Sequence, residues 1–327
     1  MTLPSTARAI RFHQTGGSDV LKFESIDLPP PGAGEVRLRH TAIGVNFIDT
    51  YFRSGLYPAP LPSGLGKEVA GVIEALGDGV TGFAIGDRVA TGSAPNGTYA
   101  EASNMPAKEL VKIPEGVSDE VAAAAMLKGL TAWYLLRETY KVQKGETILI
   151  HSAAGGVGLI ACQWAKALGA TVIGTVGSEA KVASAREVGA HHVLLLQDGW
   201  EKKVREIAPQ GLPVVYDSVG KDSFEASLNC LRPRGLMVSF GNSSGAVAPF
   251  APGVLAAKGS LYLTRPTLFH YIAARAELER AAGELFAMMQ SGAVKIAVNQ
   301  RFALADAKAA HDALEGRKTT GATVLLP

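Results

Sequence analysis

A chain of 327 residues has room for two domains of ordinary size, and a 47% hydrophobic content is that of a soluble globular protein. With 32 Lys plus Arg against 30 Asp plus Glu, the net charge of +2 removes the electrostatic ground for a dedicated nucleic-acid or anionic-membrane partner. The two cysteines, Cys162 and Cys230, supply neither a disulfide framework nor a Cys-based zinc site, and both read as small core residues. No stretch approaches a membrane span, and Arg8 and Arg11 interrupt what would have to be the apolar part of a signal peptide, which predicts a cytoplasmic protein.

Residues 7–113 carry short alternating runs, at 7–12, 35–40, 86–90 and 109–113, separated by turn residues and with no long helical pattern. Such alternation predicts a half-buried antiparallel barrel or sandwich, punctuated by rigid proline loops at 29–32 and 58–62. Helical character begins near Ser118 and runs through an alanine-rich apolar stretch at 122–140. A domain boundary is therefore expected around residue 125, and the joint is expected to line a cleft.

From there strands and helices alternate. Strands are predicted at 147–151, 170–176, 192–196, 212–219, 235–240 and 259–264, with helices at 159–168, 178–188, 200–207 and 221–230 between them, and a long helix at 268–290 follows. This rhythm predicts a doubly wound parallel sheet with its ligand across the carboxyl ends of the strands. Strand-like segments at 300–302 and 322–326 return to complete the first domain. The expected domains are 1–124 with 295–327, and 125–294.

The chemistry is concentrated where the strand at 147–151 gives way to Ser152-Ala153-Ala154-Gly155-Gly156-Val157-Gly158 and then a helix. A strand, a glycine turn and a helix N-terminus offer a pyrophosphate unpaired N–H groups and a favourable dipole. In this Ala153-x-Gly155-x-x-Gly158 variant the first position needs only a small residue. Gly155 permits close approach of a phosphate, and Gly158 lets the helix pack on the strand.

Three further segments carry a resemblance: 43–51 (Ile-Gly-Val-Asn-Phe-Ile-Asp-Thr-Tyr), 53–58 (Arg-Ser-Gly-Leu-Tyr-Pro) and 239–245 (Ser-Phe-Gly-Asn-Ser-Ser-Gly). With the domain order and Ala-Ala-Gly-Gly-Val-Gly, the chain resembles the NADPH:quinone oxidoreductases of the zeta-crystallin type, within the medium-chain dehydrogenase/reductase superfamily. The resemblance covers nearly the whole chain. It implies a GroES-like barrel packed on a Rossmann domain, a homodimer, and hydride transfer from NADPH to a quinone. Zinc members of the superfamily carry a Cys where this chain has Val45-Asn46, and Gly-His-Glu where it has Gly66-Lys67-Glu68. A protonated Lys offers no lone pair, so no metal is expected.

For the cofactor, the second strand of the sheet ends without the carboxylate that would bind the ribose 2′-hydroxyl of NAD. Gly177 and Ser178 follow it, and Lys181 suits a 2′-phosphate. The family has an aromatic or basic residue on the adenosine phosphate where this chain has Leu196. The resemblance further implies Asn46, Thr131, Ser218, Phe240, Gly241, Asn242, Leu263, Thr264 and Arg317 around the cofactor, beside the backbone of Ala153, Ala154, Gly155, Gly156, Val157 and Gly158. Arg317 also reads as an exposed basic turn.

On the substrate side it implies Asn46, Asp49, Tyr51 and Tyr57 on a loop beside the nicotinamide. The tyrosines would stack on a quinone ring and donate to its oxygen, or else merely cap the barrel core. Lys67 would donate to a reduced quinone oxygen or point to water. Reduction of activated C=C bonds in enones or alkenals is the nearest enzymatic alternative; RNA binding or a structural crystallin-like role is the non-enzymatic one.

Overall fold

Residues 4–327 are described by a computed structural model, and they divide into two units. The first unit runs through Leu130 and includes Leu278–Ala282 and Ile296–Pro327; the second comprises Thr131–Glu277 and Gly283–Lys295.

In chain order the first unit carries β1 (Thr6–Phe12), β2 (Lys22–Asp27), β3 (Glu35–Val45), α1 (Phe47–Ser54), β4 (Ser63–Gly64), β5 (Glu68–Leu76), β6 (Arg88–Thr91), β7 (Ala102–Pro106) and β8 (Val111–Lys112). Helix α2 (Asp119–Tyr134) leads the chain out of this unit and ends in a π-helical turn, Leu135–Thr139. The second unit alternates β9 (Thr147–Ile150), α3 (Gly156–Ala167), β10 (Thr171–Val176), α4 (Val182–Glu187), β11 (His192–Leu195), α5 (Trp200–Ile207), β12 (Leu212–Asp217), α6 (Phe224–Cys230), β13 (Leu231–Ser239), α7 (Gly253–Ala257) and β14 (Tyr262–Thr264). Then come α8 (Leu268–Tyr271), α9 (Arg275–Gln290), β15 (Val298–Ala303), α10 (Ala307–Glu315) and β16 (Ala322–Leu326).

The expected fold class is present. Strands of the second unit form a six-stranded sheet in the order β11-β10-β9-β12-β13-β14, and every pairing in it is parallel. This is the strand order of a doubly wound dinucleotide-binding sheet. β12, the central strand, is buried at every position from Leu212 to Asp217, as a strand covered by helices on both faces must be. In the first unit, β3 is the hub of a largely antiparallel sheet in the order β15-β16-β3-β5-β6-β8, with β7 also paired to β3. Its core is built from Phe12, Leu38, Ile43, Leu65, Val69 and Leu110, all fully buried.

Several boundaries differ from expectation for local reasons. The stretch 43–51 is not all strand and loop: β3 ends at Val45 and 47–54 is helical, started by a carboxylate three residues after Asn46 and stopped by Gly55 at φ 85. The helix expected at 178–188 opens as a tight 3-10 turn, Glu179–Lys181, and becomes α-helical only at Val182. The helix expected at 268–290 is two. Ile272 leaves helical geometry at φ −127, and the Glu277 carboxylate accepts the Ala274 N–H at 3.2 Å to begin a fresh N-terminus. β13 starts at Leu231 rather than 235, because a bulge against β12 and a left-handed Arg234 absorb Pro233. The tail also holds α10, where only strands were expected.

Candidate active site

In the first unit the residues around Asn46 form one hydrogen-bonded system. Glu68, the first residue of β5, is fully buried and accepts three donors: the Asn46 side-chain amide at 2.8 Å, the Lys128 ammonium at 2.8 Å and the Leu127 N–H at 2.7 Å. A buried carboxylate is tolerable only when matched in this way. Gly44 makes the seat possible, since a Cβ there would lie 2.1 Å from Glu68 Oε2 and 2.3 Å from the Ala123 carbonyl.

Asp49, on the first turn of α1, points inward. Its Oδ2 accepts the Asn46 backbone N–H at 2.8 Å and the Tyr99 hydroxyl at 2.9 Å, whereas Oδ1 has no hydrogen-bond partner among the described residues. Burial pushes this carboxyl up to about 7, against the pull of those hydrogen bonds. Asp49 is 0% exposed, and its carboxylate is turned into the fold toward Asn46 and Tyr99.

Tyr51 and Tyr57 are half-buried. Their rings meet edge to face at 5.3 Å, and Tyr57 packs on Phe52 at 5.7 Å, which itself lies against the core. Tyr57 reaches the core through Phe52, and both tyrosines keep part of their surface exposed. Lys67 does not simply extend into water: its ammonium donates to the Ala94 carbonyl at 3.3 Å and lies 5.1 Å from the centre of the Phe52 ring. Burial lowers its affinity for a proton, partly offset by Asp49 and Glu109.

The buried ionisable groups of this unit set an acid limit. Burial holds His40 at about 4 and His311 at about 3, so each stays neutral in the fold while the unfolded chain takes up a proton near 6.5. Stability is therefore lost as pH falls below 6.5, by about 1.4 kcal/mol per pH unit per group. Asp49 acts the other way, holding its proton to about 7 and adding stability as pH falls from there toward 3.8. Two groups oppose one, and the melting temperature is expected to fall between pH 6.5 and 4. Thermal melts across that range check it; a rise would contradict the neutral histidines.

In the second unit the residues expected at the cofactor gather at the carboxyl ends of the six parallel strands. Ala153 to Gly158 follow β9, Gly177 to Lys181 follow β10, Leu196 follows β11, Ser218 follows β12, and Phe240 to Asn242 follow β13; Leu263 and Thr264 end β14. Helix α3 starts at Gly156 with no side-chain cap, so the N–H groups of its first turn are left for a ligand. Gly158 is obligatory: a Cβ there would sit 2.2 Å from the Ser152 carbonyl oxygen and 2.8 Å from Ala153 Cα. Gly241 is similarly confined, 2.6 Å from the Ser218 carbonyl, so the turns after β12 and β13 close on each other.

Ala153 and Ala154 are buried and offer backbone alone. Gly177 and Ser178 are exposed, and Lys181 half-buried, at the expected strand end. Leu196 packs partly onto the core of this unit. Thr131 is buried on α2, and Arg317 lies in an exposed left-handed turn of the first unit.

A polar core beneath the glycine turn was not foreseen. His151 Nε2 lies 2.9 Å from Ser227 Oγ and Nδ1 2.7 Å from Thr175 Oγ1. Asp217 Oδ2 accepts Ser227 Oγ at 3.1 Å and Ser223 Oγ at 2.7 Å, while Oδ1 accepts the N–H groups of Val219 and Gly220. All of these side chains are buried, so the Ser, His and Asp here tie the ends of β9, β10 and β12 together instead of forming a nucleophile. Glu68, Lys128, Tyr99 and His311 were missed as well. A charge in the apolar run of α2 was a usable signal for Lys128; Tyr99 and His311 gave none.

Among the described residues no group of three or more His, Cys, Asp or Glu side chains is placed to hold a metal ion. Cys162 and Cys230 are buried thiols, both pushed up to about 12 by burial.

Residues 156–286 match the family described as zinc-binding dehydrogenase, and residues 32–115 the alcohol dehydrogenase GroES-like domain. The chain is 54% identical to the quinone oxidoreductase of Pseudomonas aeruginosa over 324 residues, covering 98% of this chain and 100% of the relative. It is 46% identical to a 2-haloacrylate reductase from a Burkholderia species, covering 96% and 97% respectively. The crystal structure of Escherichia coli quinone oxidoreductase complexed with NADPH superposes with a TM-score of 0.97 at 49% identity, covering 98% of this chain and 100% of that one.

Proposed function

This chain belongs to the quinone oxidoreductase family of medium-chain dehydrogenases/reductases, and on that premise we propose that it is an NADPH-dependent quinone reductase. The observation that carries the reading is the full-length likeness to named quinone oxidoreductases, one of them solved with NADPH. When bound, NADPH supplies the hydride.

The chain's own residues hold and orient. Gly155 to Gly158 would present backbone N–H groups to the pyrophosphate, and Ser178 with Lys181 would take the 2′-phosphate. Asn46 would present its amide to the reacting rings, held in orientation by Glu68. Tyr51 and Tyr57 would offer ring faces and hydroxyls to the quinone, so positioning is the main lever. We assign residues 1–124 with 295–327 to substrate and 125–294 to the cofactor.

The test is turnover with a panel of ortho- and para-quinones beside enones and a haloacrylate. Quinones are expected to be the better substrates; enones faster by tenfold or more in kcat/KM would move the assignment to C=C reduction. Lys181→Glu is expected to cost NADPH one to two decades of affinity, from the roughly 1.5–3 kcal/mol of a charge-assisted hydrogen bond, and to spare NADH. Fluorescence titration of both cofactors checks it. Tyr57→Phe is expected to cost less than about tenfold in kcat and Tyr57→Ala more, because Ala removes the ring as well as the hydroxyl.

A homodimer and a cytoplasmic location belong to the same proposal. β14 ends the six-stranded sheet with one edge unpaired among the described residues and Tyr262 61% exposed, which suits pairing with a second copy. Sedimentation at micromolar concentration tests the dimer.

A further inference from the structure

Four side chains connect the C-terminal segment to Asn46, and the chemistry of the first one dictates the direction of every hydrogen bond after it. Arg53, on α1, is buried and holds Glu315 through two contacts of 2.8 Å. Its Nη1 also lies 3.0 Å from His311 Nδ1. A guanidinium can only donate, so Nδ1 accepts and the ring proton resides on Nε2. Nε2 then donates to the Tyr99 hydroxyl oxygen at 3.2 Å, and that hydroxyl spends its one proton on Asp49 Oδ2 at 2.9 Å. Asp49 Oδ2 in turn accepts the Asn46 N–H at 2.8 Å, and the Asn46 amide donates to Glu68. His311, Tyr99 and Asp49 are each fully buried.

We propose that His311 and Tyr99 are positioning residues for the reaction: acting through Asp49, they hold Asn46 in place, and so couple α10 to the site. The inference rests on the quinone reductase reading for the role of Asn46, but the coupling itself does not.

Two features favour a positioning role over ordinary packing. The line converges on one atom: Arg53 donates to His311, His311 to Tyr99 and Tyr99 to Asp49 Oδ2, which also accepts the Asn46 N–H, so that its members polarise one another in a low dielectric. It also runs across sequence separations of 258, 212 and 50 residues before it reaches Asn46, tying three distant segments to one amide. Burial and the adjacent Arg53 keep His311 neutral, so the direction of the line is not reversed near neutral pH. Asp49 Oδ1, without a partner, is where a proton on this carboxyl would sit, leaving Oδ2 to accept as before.

The test uses Tyr99→Phe, which deletes one buried oxygen and keeps the ring, together with His311→Leu, His311→Gln and the Tyr99→Phe/His311→Leu pair. Tyr99→Phe and His311→Leu are each expected to lower kcat with a quinone by about tenfold, with the NADPH dissociation constant unchanged. The pair is expected to lose no more than either alone, because both break one line. His311→Gln, whose amide N–H can still donate to Tyr99, is expected to recover most of the rate. Independently of any substrate, hydrogen exchange at the Asn46 N–H, followed by NMR, is expected to quicken at least tenfold in Tyr99→Phe, with the β3 amides unaffected.

A merely structural role would lower the melting temperature and leave both readouts of the folded protein in place. Unchanged Asn46 exchange in Tyr99→Phe, or additive losses in the pair, would overturn the proposal, and Tyr99→Phe keeps the test alive if His311→Leu does not fold. A wild-type protein that fails to reduce quinones would instead count against the functional reading, and the exchange measurement would still decide the coupling.

Discussion

Glu68→Gln is expected to destabilise the protein by about 3–5 kcal/mol, the cost of leaving one member of a buried ion pair without its partner. Lys128 is 6% exposed, and its ammonium donates to Glu68 Oε2 at 2.8 Å. The neutral amide keeps the shape of the carboxylate but forfeits the charge, and its NH2 group turns a donor toward one of three donors. Urea denaturation of wild type and variant measures the difference. The companion substitution gives the sharper result. Glu68→Gln with Lys128→Met removes the stranded charge and should recover most of the loss, since an apolar replacement of a buried pair is commonly neutral or better. Recovery of stability without recovery of kcat would place the pair in the orientation of Asn46; a single variant as stable as wild type would show that water reaches Lys128.

Gly158→Val carries the other large effect: NADPH affinity is expected to fall by at least about a hundredfold. Both atoms that an added Cβ would meet at 2.2 and 2.8 Å belong to backbone, the Ser152 carbonyl and Ala153 Cα, so no side chain can swing away. Either α3 retreats from the turn or the turn opens, and each takes away the N–H groups that a pyrophosphate would use. Gly283→Ala serves as the control. It lies within α9, a Cβ there meets nothing within 4 Å, and alanine is the better helix former by about 0.5–1 kcal/mol. It is expected to stabilise slightly and to bind NADPH as wild type does. Equal loss in both variants would show that the titration reports general damage.

The two predictions draw on different kinds of legibility. Gly158 was readable because the turn, the strand before it and the helix after it lie within about twenty residues, where local periodicity and turn chemistry speak directly. The six strands of the second unit were readable for the same reason, as short apolar runs alternating with helices. Errors there were confined to ends, where the Ala274 cap, the bulge of β13 and the 3-10 turn before α4 are decided by single hydrogen bonds or dihedral angles. The helix at 47–54 was missed although its carboxylate at Asp49 and its stop at Gly55 were in view, because eight residues give too short a window for periodicity.

By itself, then, the sequence determined the alternating architecture of the second unit and its glycine turn, both of which rest on interactions between near neighbours in the chain. Tertiary structure alone decided what Asp49, Lys67, Lys128 and His311 do. A carboxylate three residues into a helix looks exposed until Tyr99, 50 positions away, is found donating to it. A histidine on α10 looks like surface until Arg53, 258 positions away, dictates which of its nitrogens carries the proton. Burial and hydrogen-bond direction depend on which distant segments the fold brings together, and such pairings leave no periodic trace in the order of residues.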